Sequence, residues 1–170
     1  GASAALESGP TDRPVAVIFS HATGVNGRTY RTILQPLAGD LRVLALDLRG
    51  HGATALPTVI EGRQGWLEFR DDLLALLASL AQGPVVLAGH SMGGTASLLA
   101  AAADPAGVKA LALFDPVVMP NTTPGGAAHE SALLHGALRR RSVFPSQQPP
   151  FDAHLGSRAF RPWGGARAAG

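Results

Sequence analysis

The chain has 170 residues, a net charge of +2, no cysteine, and no apolar run near the ~18 residues a membrane span needs. That composition excludes a disulfide scaffold, a thiolate nucleophile and any cysteine-based metal site, and it leaves no candidate membrane span. The length suits one domain with a real core, in which folding buries roughly 70% of the unfolded chain's surface.

Residues 1–14, GASAALESGPTDRP, carry no basic-plus-apolar signal pattern and no initiator Met. They read as a processed N-terminal segment outside the core. The lack of cysteine fits a cytoplasmic location. The first strand is expected at VAVIFS (15–20), a continuous apolar run rich in β-branched residues. LRVLALDL (41–48), PVVLAG (84–89) and VKALALF (108–114) repeat that texture. Continuous runs of this length suit strands buried on both faces, as in a parallel sheet. Helical stretches lie between them: RTYRTILQPLA (28–38), GWLEFRDDLLALLASLA (65–81) and GGTASLLAAAA (93–103). The second puts Trp66, Phe69, Leu73, Leu76, Leu77 and Leu80 on one stripe. Strand and helix alternate, which predicts right-handed βαβ crossovers and an α/β fold with helices on both faces of the sheet.

After Phe114 the texture changes. DPVVMPNTTPGG is rich in Pro and Gly and reads as loop. AAHESALLHGALRRR (127–141) has helical texture. The remainder, ending in RPWGGARAAG, shows no periodicity. Charge shifts at the same place. Residues 1–128 hold eight basic and ten acidic side chains, and residues 129–170 hold six and two. The dense basic run, Arg139 to Arg141, reads as a solvated helix end favoured by the helix dipole. A nucleic-acid surface would need a basic stripe interleaved with aromatics, and the acidic balance of residues 1–128 speaks against one.

Gly89-His90-Ser91-Met92-Gly93 stands where a strand gives way to a helix. A turn that sharp forces Ser91 into a strained backbone conformation, and Gly89 and Gly93 remove clashes beside it. The serine then sits at the carboxyl end of the sheet and at a helix N-terminus, where free N–H groups favour negative charge. The Met92 N–H is placed to meet a developing oxyanion. Out of this context, a glycine-flanked serine is more simply a helix cap. FSHATG (19–24) follows the first buried strand, where acyl transfer needs a second N–H donor. Ala22 is expected to supply it, with His21 bracing the loop.

These segments resemble the α/β-hydrolase superfamily. HATG, DLRGHG (47–52) and GHSMGG stand in that family's order, and the resemblance covers about residues 14–118. It implies a three-layer α/β-hydrolase-type sandwich with a mostly parallel, partial sheet. It implies Ser91 as nucleophile, the Ala22 and Met92 amides as oxyanion hole, and no metal or organic cofactor. Asp47, Arg49 and His51 match the family's structural turn. Residues 119–150 would begin a helical lid, with 151–170 as an irregular tail. The four strands would correspond to the family's third to sixth, in spatial order 4-3-5-6.

The chain departs from that pattern at the base. A serine triad needs a histidine and an acid, in chain order Ser, acid, His. Asp115, after the last strand, is a candidate acid, although an Asp opening an Asp-Pro turn explains it more simply. His129, His135 and His154 lie downstream, none on a loop after a final strand. His90 adjoins Ser91, but alternation turns it away. The chain is therefore expected to be a truncated member lacking the leading hairpin and the last two strands, with an exposed sheet edge prone to self-association. Two readings stay open. One is a serine hydrolase acting on a small, apolar acyl substrate such as an ester, thioester, lactone or carbon–carbon bond. The other is a catalytically inactive remnant without the triad histidine.

Overall fold

Val15–Ser20, Arg42–Asp47, Val85–His90 and Val108–Phe114 form strands β2, β3, β4 and β5 of one sheet. The computed structural model describes residues 1–58 and 66–118. The four apolar runs fall within a residue of their expected bounds, and β2, β3 and β4 are largely buried. Neighbouring pairs β2–β3, β2–β4 and β4–β5 are parallel.

A fifth strand corrects the reading of the first fourteen residues. Ala4–Ser8 forms β1 and pairs antiparallel with β3, giving the order β1-β3-β2-β4-β5. AALES contains no β-branched residue, and its alternating half-buried and exposed positions mark a sheet-edge strand with one covered face. Thr54 fastens it. Its Oγ1 accepts from Ala4 N–H at 2.8 Å and donates to the Asp47 carbonyl.

The connections put helices on both faces. Between β2 and β3 the chain makes a 3-10 turn (Gly27–Tyr30), the one-turn helix α1 (Arg31–Leu34) and a second 3-10 turn. Leu34 and Tyr30 pack there with Val17, Phe19, Val43 and Ala45. On the other face, α2 (Leu67–Leu80) and α3 (Met92–Ala103) cover Ile18, Leu44, Leu46 and Leu87. Phe69 and Leu73 of the α2 stripe are buried, with Trp66, Leu76, Leu77 and Leu80 half-buried around them. Each fully buried side chain of this kind contributes roughly 1.5–3 kcal/mol of transfer free energy.

The chain leaves β2 toward β3 and leaves β4 toward β5, in opposite directions across the sheet. The carboxyl ends of β2 and β4 therefore flank a topological switch point, where open α/β sheets form their ligand crevice. The lid and tail expected at 119–170 lie outside the described residues. Among the described residues β5 is an outer strand, with Leu111 and Phe114 exposed.

Candidate active site

Ser20 pairs with Gly89 across the parallel β2–β4 ladder. The residues that follow, His21–Gly24 and Ser91–Met92, therefore emerge side by side at the switch point. Ser91 has φ 51° and ψ −117°, a region that L-residues avoid, and α3 starts at the next residue. A strained, non-helical serine between strand and helix is what a nucleophile elbow requires. The glycines explain how the turn fits. A Cβ on Gly89 would lie 2.5 Å from the Gly93 carbonyl carbon, and one on Gly93 would overlap the Ser20 carbonyl. Ser91 N–H donates to the Phe114 carbonyl at 2.9 Å, and Thr95 N–H donates to the Ser91 carbonyl at 3.0 Å. The Met92 amide opens α3, where N–H groups have no intrahelical acceptor.

The loop after β2 is held from three sides. His21 is fully buried, with its Nδ1 2.7 Å from the Ala22 carbonyl. Its Nε2 accepts from Leu48 N–H at 2.9 Å. One nitrogen donates and the other accepts, so the ring is neutral with its proton on Nδ1. Burial pushes its pKa down to about 4, reinforced by the nearby His51; the Ala22 carbonyl and Asp47 oppose the shift. His51 Nε2 accepts from Gly24 N–H at 3.0 Å and its Nδ1 donates to the Arg49 carbonyl at 2.9 Å. Asp47 accepts from Gly27 N–H and Ala53 N–H at 2.9 and 2.8 Å. Arg49 grips Asp72 of α2 through two bonds, of 2.9 and 2.5 Å, which raise its pKa. Asp47, Arg49, His51 and His21 thus have structural bonds, as their positions suggest.

The loop's amides are not equivalent. Ala22 N–H donates to Tyr30 Oη at 3.2 Å. That amide is engaged. Thr23 N–H, the next along, meets no acceptor among the described residues, and the Thr23 hydroxyl donates to Met92 Sδ at 3.4 Å. Residue 23 therefore lies against residue 92. The Ala22–Tyr30 bond spans eight residues and has no motif in the sequence to announce it.

No histidine shares a hydrogen bond with Ser91 among the described residues. His21 and His51 have both ring nitrogens occupied, and His90 Nδ1 lies 2.7 Å from Tyr30 Oη. Asp115 is exposed, with φ 46° at the end of β5, and is followed by Pro116. His129, His135 and His154 are outside the described residues. Among the described residues no group of three or more His, Asp or Glu could hold a metal, and no helix is long and apolar enough to cross a membrane.

A sheet of this order with a strained serine at its switch point defines the α/β-hydrolase class of fold. The model of the alpha/beta hydrolase family matches residues 17–169, and the chain belongs to that family. It is 37% identical over 107 residues to lipase LipV of Mycobacterium tuberculosis, a match covering 62% of this chain and 38% of that protein. Human monoglyceride lipase is 35% identical over 118 residues, covering 66% and 38%. The solved structure of E-2-(acetamidomethylene)succinate hydrolase superposes with a TM-score of 0.74 at 22% identity, over 99% of this chain and 62% of that one. The chain spans about a third of the length of the curated relatives it matches.

Proposed function

We propose that this chain carries the nucleophile half of a serine hydrolase that cleaves an ester-like bond through an acyl-enzyme on Ser91. The observation that carries the reading is the backbone of Ser91, with φ 51° and ψ −117° immediately before α3. In the acylation step Ser91 Oγ attacks the substrate's carbonyl carbon while a base takes its proton. The carbonyl oxygen becomes an oxyanion, the tetrahedral intermediate collapses, and the alcohol or thiol leaves with a proton. The Met92 amide at the start of α3 is one oxyanion donor. The second is assigned to Thr23 instead of Ala22, because Ala22 N–H is committed to Tyr30 and Thr23 lies against Met92. No cofactor is required by this chemistry. Asp115 is assigned to the turn after β5, not to the acid, because it is exposed and stands at positive φ before a proline.

The relatives named lipase and monoglyceride lipase support a small ester with an apolar acyl group as substrate. The base would come from outside the described residues, with His129, His135 and His154 the histidines of this chain available for it. A second reading has its own support. His21, His51 and His90 all hold structural bonds, so a form without a further histidine would keep the elbow and the oxyanion loop and lack the base. Hydrolysis of p-nitrophenyl esters of increasing acyl length separates the two. Turnover that Ser91→Ala abolishes supports the enzyme. A folded chain with no turnover supports the inactive form.

A further inference from the structure

Tyr30 stands at a junction that neither sequence motif explains. Its ring packs against Phe19 at 4.6 Å between centroids and meets His90 edge-on at 5.9 Å. Its hydroxyl oxygen accepts from Ala22 N–H at 3.2 Å and lies 2.7 Å from His90 Nδ1. A phenol has one proton to donate. Its oxygen also has two lone pairs, so the bond to His90 forms with either tautomer of the ring: Tyr30 donates to a bare Nδ1 or accepts from a protonated one. Burial raises the Tyr30 pKa, which keeps the phenol protonated and able to bridge. The bridge runs from the loop after β2 to the residue immediately before Ser91. It ties together the two chain segments whose relative position sets the oxyanion site.

We propose that Tyr30 and His90 form a positioning clamp that holds the 21–24 loop in register with the elbow, fixing the Thr23 amide opposite the Met92 amide. The inference rests on the serine-hydrolase reading of Ser91. Tyr30 and His90 act through the loop and touch no reacting atom. By occupying Ala22 N–H, the hydroxyl also decides which of two successive amides faces the oxyanion. Displacement of an oxyanion donor by about 1 Å is enough to cost on the order of a hundredfold in rate.

The test uses the full chain with a short-chain p-nitrophenyl ester and the variants Tyr30→Phe, His90→Leu, His90→Asn, Tyr30→Phe/His90→Leu and Ser91→Ala. Tyr30→Phe keeps the ring on Phe19 and removes only the bridge. The clamp predicts a kcat lower by roughly tenfold to a hundredfold with KM within about twofold. It predicts a double variant no slower than the slower single variant, and recovery in His90→Asn, whose side-chain amide offers both an acceptor and a donor in place of Nδ1. It also predicts that Ala22 amide hydrogen exchange speeds up at least about tenfold in Tyr30→Phe. An unchanged kcat in Tyr30→Phe overturns the clamp, and so does unchanged Ala22 exchange. A raised kcat overturns it too, since the hydroxyl would then be blocking Ala22 as the true donor. Turnover surviving in Ser91→Ala overturns the hydrolase reading instead. In a wild-type chain without turnover the exchange measurement alone decides the clamp.

Discussion

The amide of Ser91 is bonded to the carbonyl of Phe114 at 2.9 Å, so the elbow is pinned to the last residue of the neighbouring strand. The strained φ of Ser91 is thus held by the β4–β5 pairing as well as by the start of α3. Thr95 adds a further tie, with its hydroxyl 2.9 Å from the Val117 carbonyl.

Asp115 follows Phe114 directly, which lets its role be separated from its position. As a turn residue at φ 46° it is replaceable by Asn, which tolerates that conformation well. Asp115→Asn is expected to leave the rate of Ser91 acylation within about twofold. A triad acid replaced by its amide costs on the order of ten-thousandfold, so stopped-flow acylation kinetics distinguish the two roles.

The closeness of β2 to α3 depends on Gly93. Gly93→Ala drives a methyl into the Ser20 carbonyl and to within 2.6 Å of the His21 carbonyl. A loss of ~2–3 kcal/mol in urea unfolding is expected. Gly83→Ala is the control, since no described atom lies within 4 Å of the added carbon. It is expected to change stability by less than about 0.5 kcal/mol.

Ala81 ends α2 in the left-handed conformation, at φ 47° and ψ 39°. Glycine holds that cap position without the Cβ penalty. Ala81→Gly is expected to raise stability by ~0.5–1 kcal/mol, visible as a higher urea midpoint with an unchanged slope.

His21 gives the fold a pH dependence with a definite sign. Its pKa is about 4 in the folded chain against 6.5 for the free side chain. Between those values the unfolded state binds the proton and the folded state resists it, so stability falls as pH drops below 6.5 and levels off below 4. The loss attributable to His21 reaches ~2 kcal/mol at pH 5. Urea midpoints at pH 7.5 and 5 are expected to diverge more for wild type than for His21→Gln. Equal pH dependence in the two would show that His21 does not stay neutral in the fold.

How much of this was legible in the sequence follows from the kind of signal each part leaves. The four parallel strands are continuous apolar runs, largely buried in β2, β3 and β4, and the α2 stripe repeats at helical spacing, so both announce themselves. The edge strand β1 buries one face over five residues and reads as loop. Gly89-x-Ser91-x-Gly93 reveals the elbow because the backbone itself demands those residue types there. The Tyr30 bridge depends on a side chain reaching from a 3-10 turn to residues 8 and 60 positions away, and no local pattern encodes that. For the same reason Ala22 was the expected oxyanion donor. Sequence places the loop, but the bond that engages the Ala22 amide comes from the Tyr30 hydroxyl, which no motif signals.

The most direct measurement is labelling of the chain and of Ser91→Ala with a fluorophosphonate, with the adduct located by mass spectrometry. Stoichiometric phosphonylation at Ser91, absent from the variant, is the predicted result. It would establish an activated serine at the elbow and narrow the search for its base to the remaining histidines. Folded protein that takes up no label, or takes it up equally in Ser91→Ala, would contradict the account.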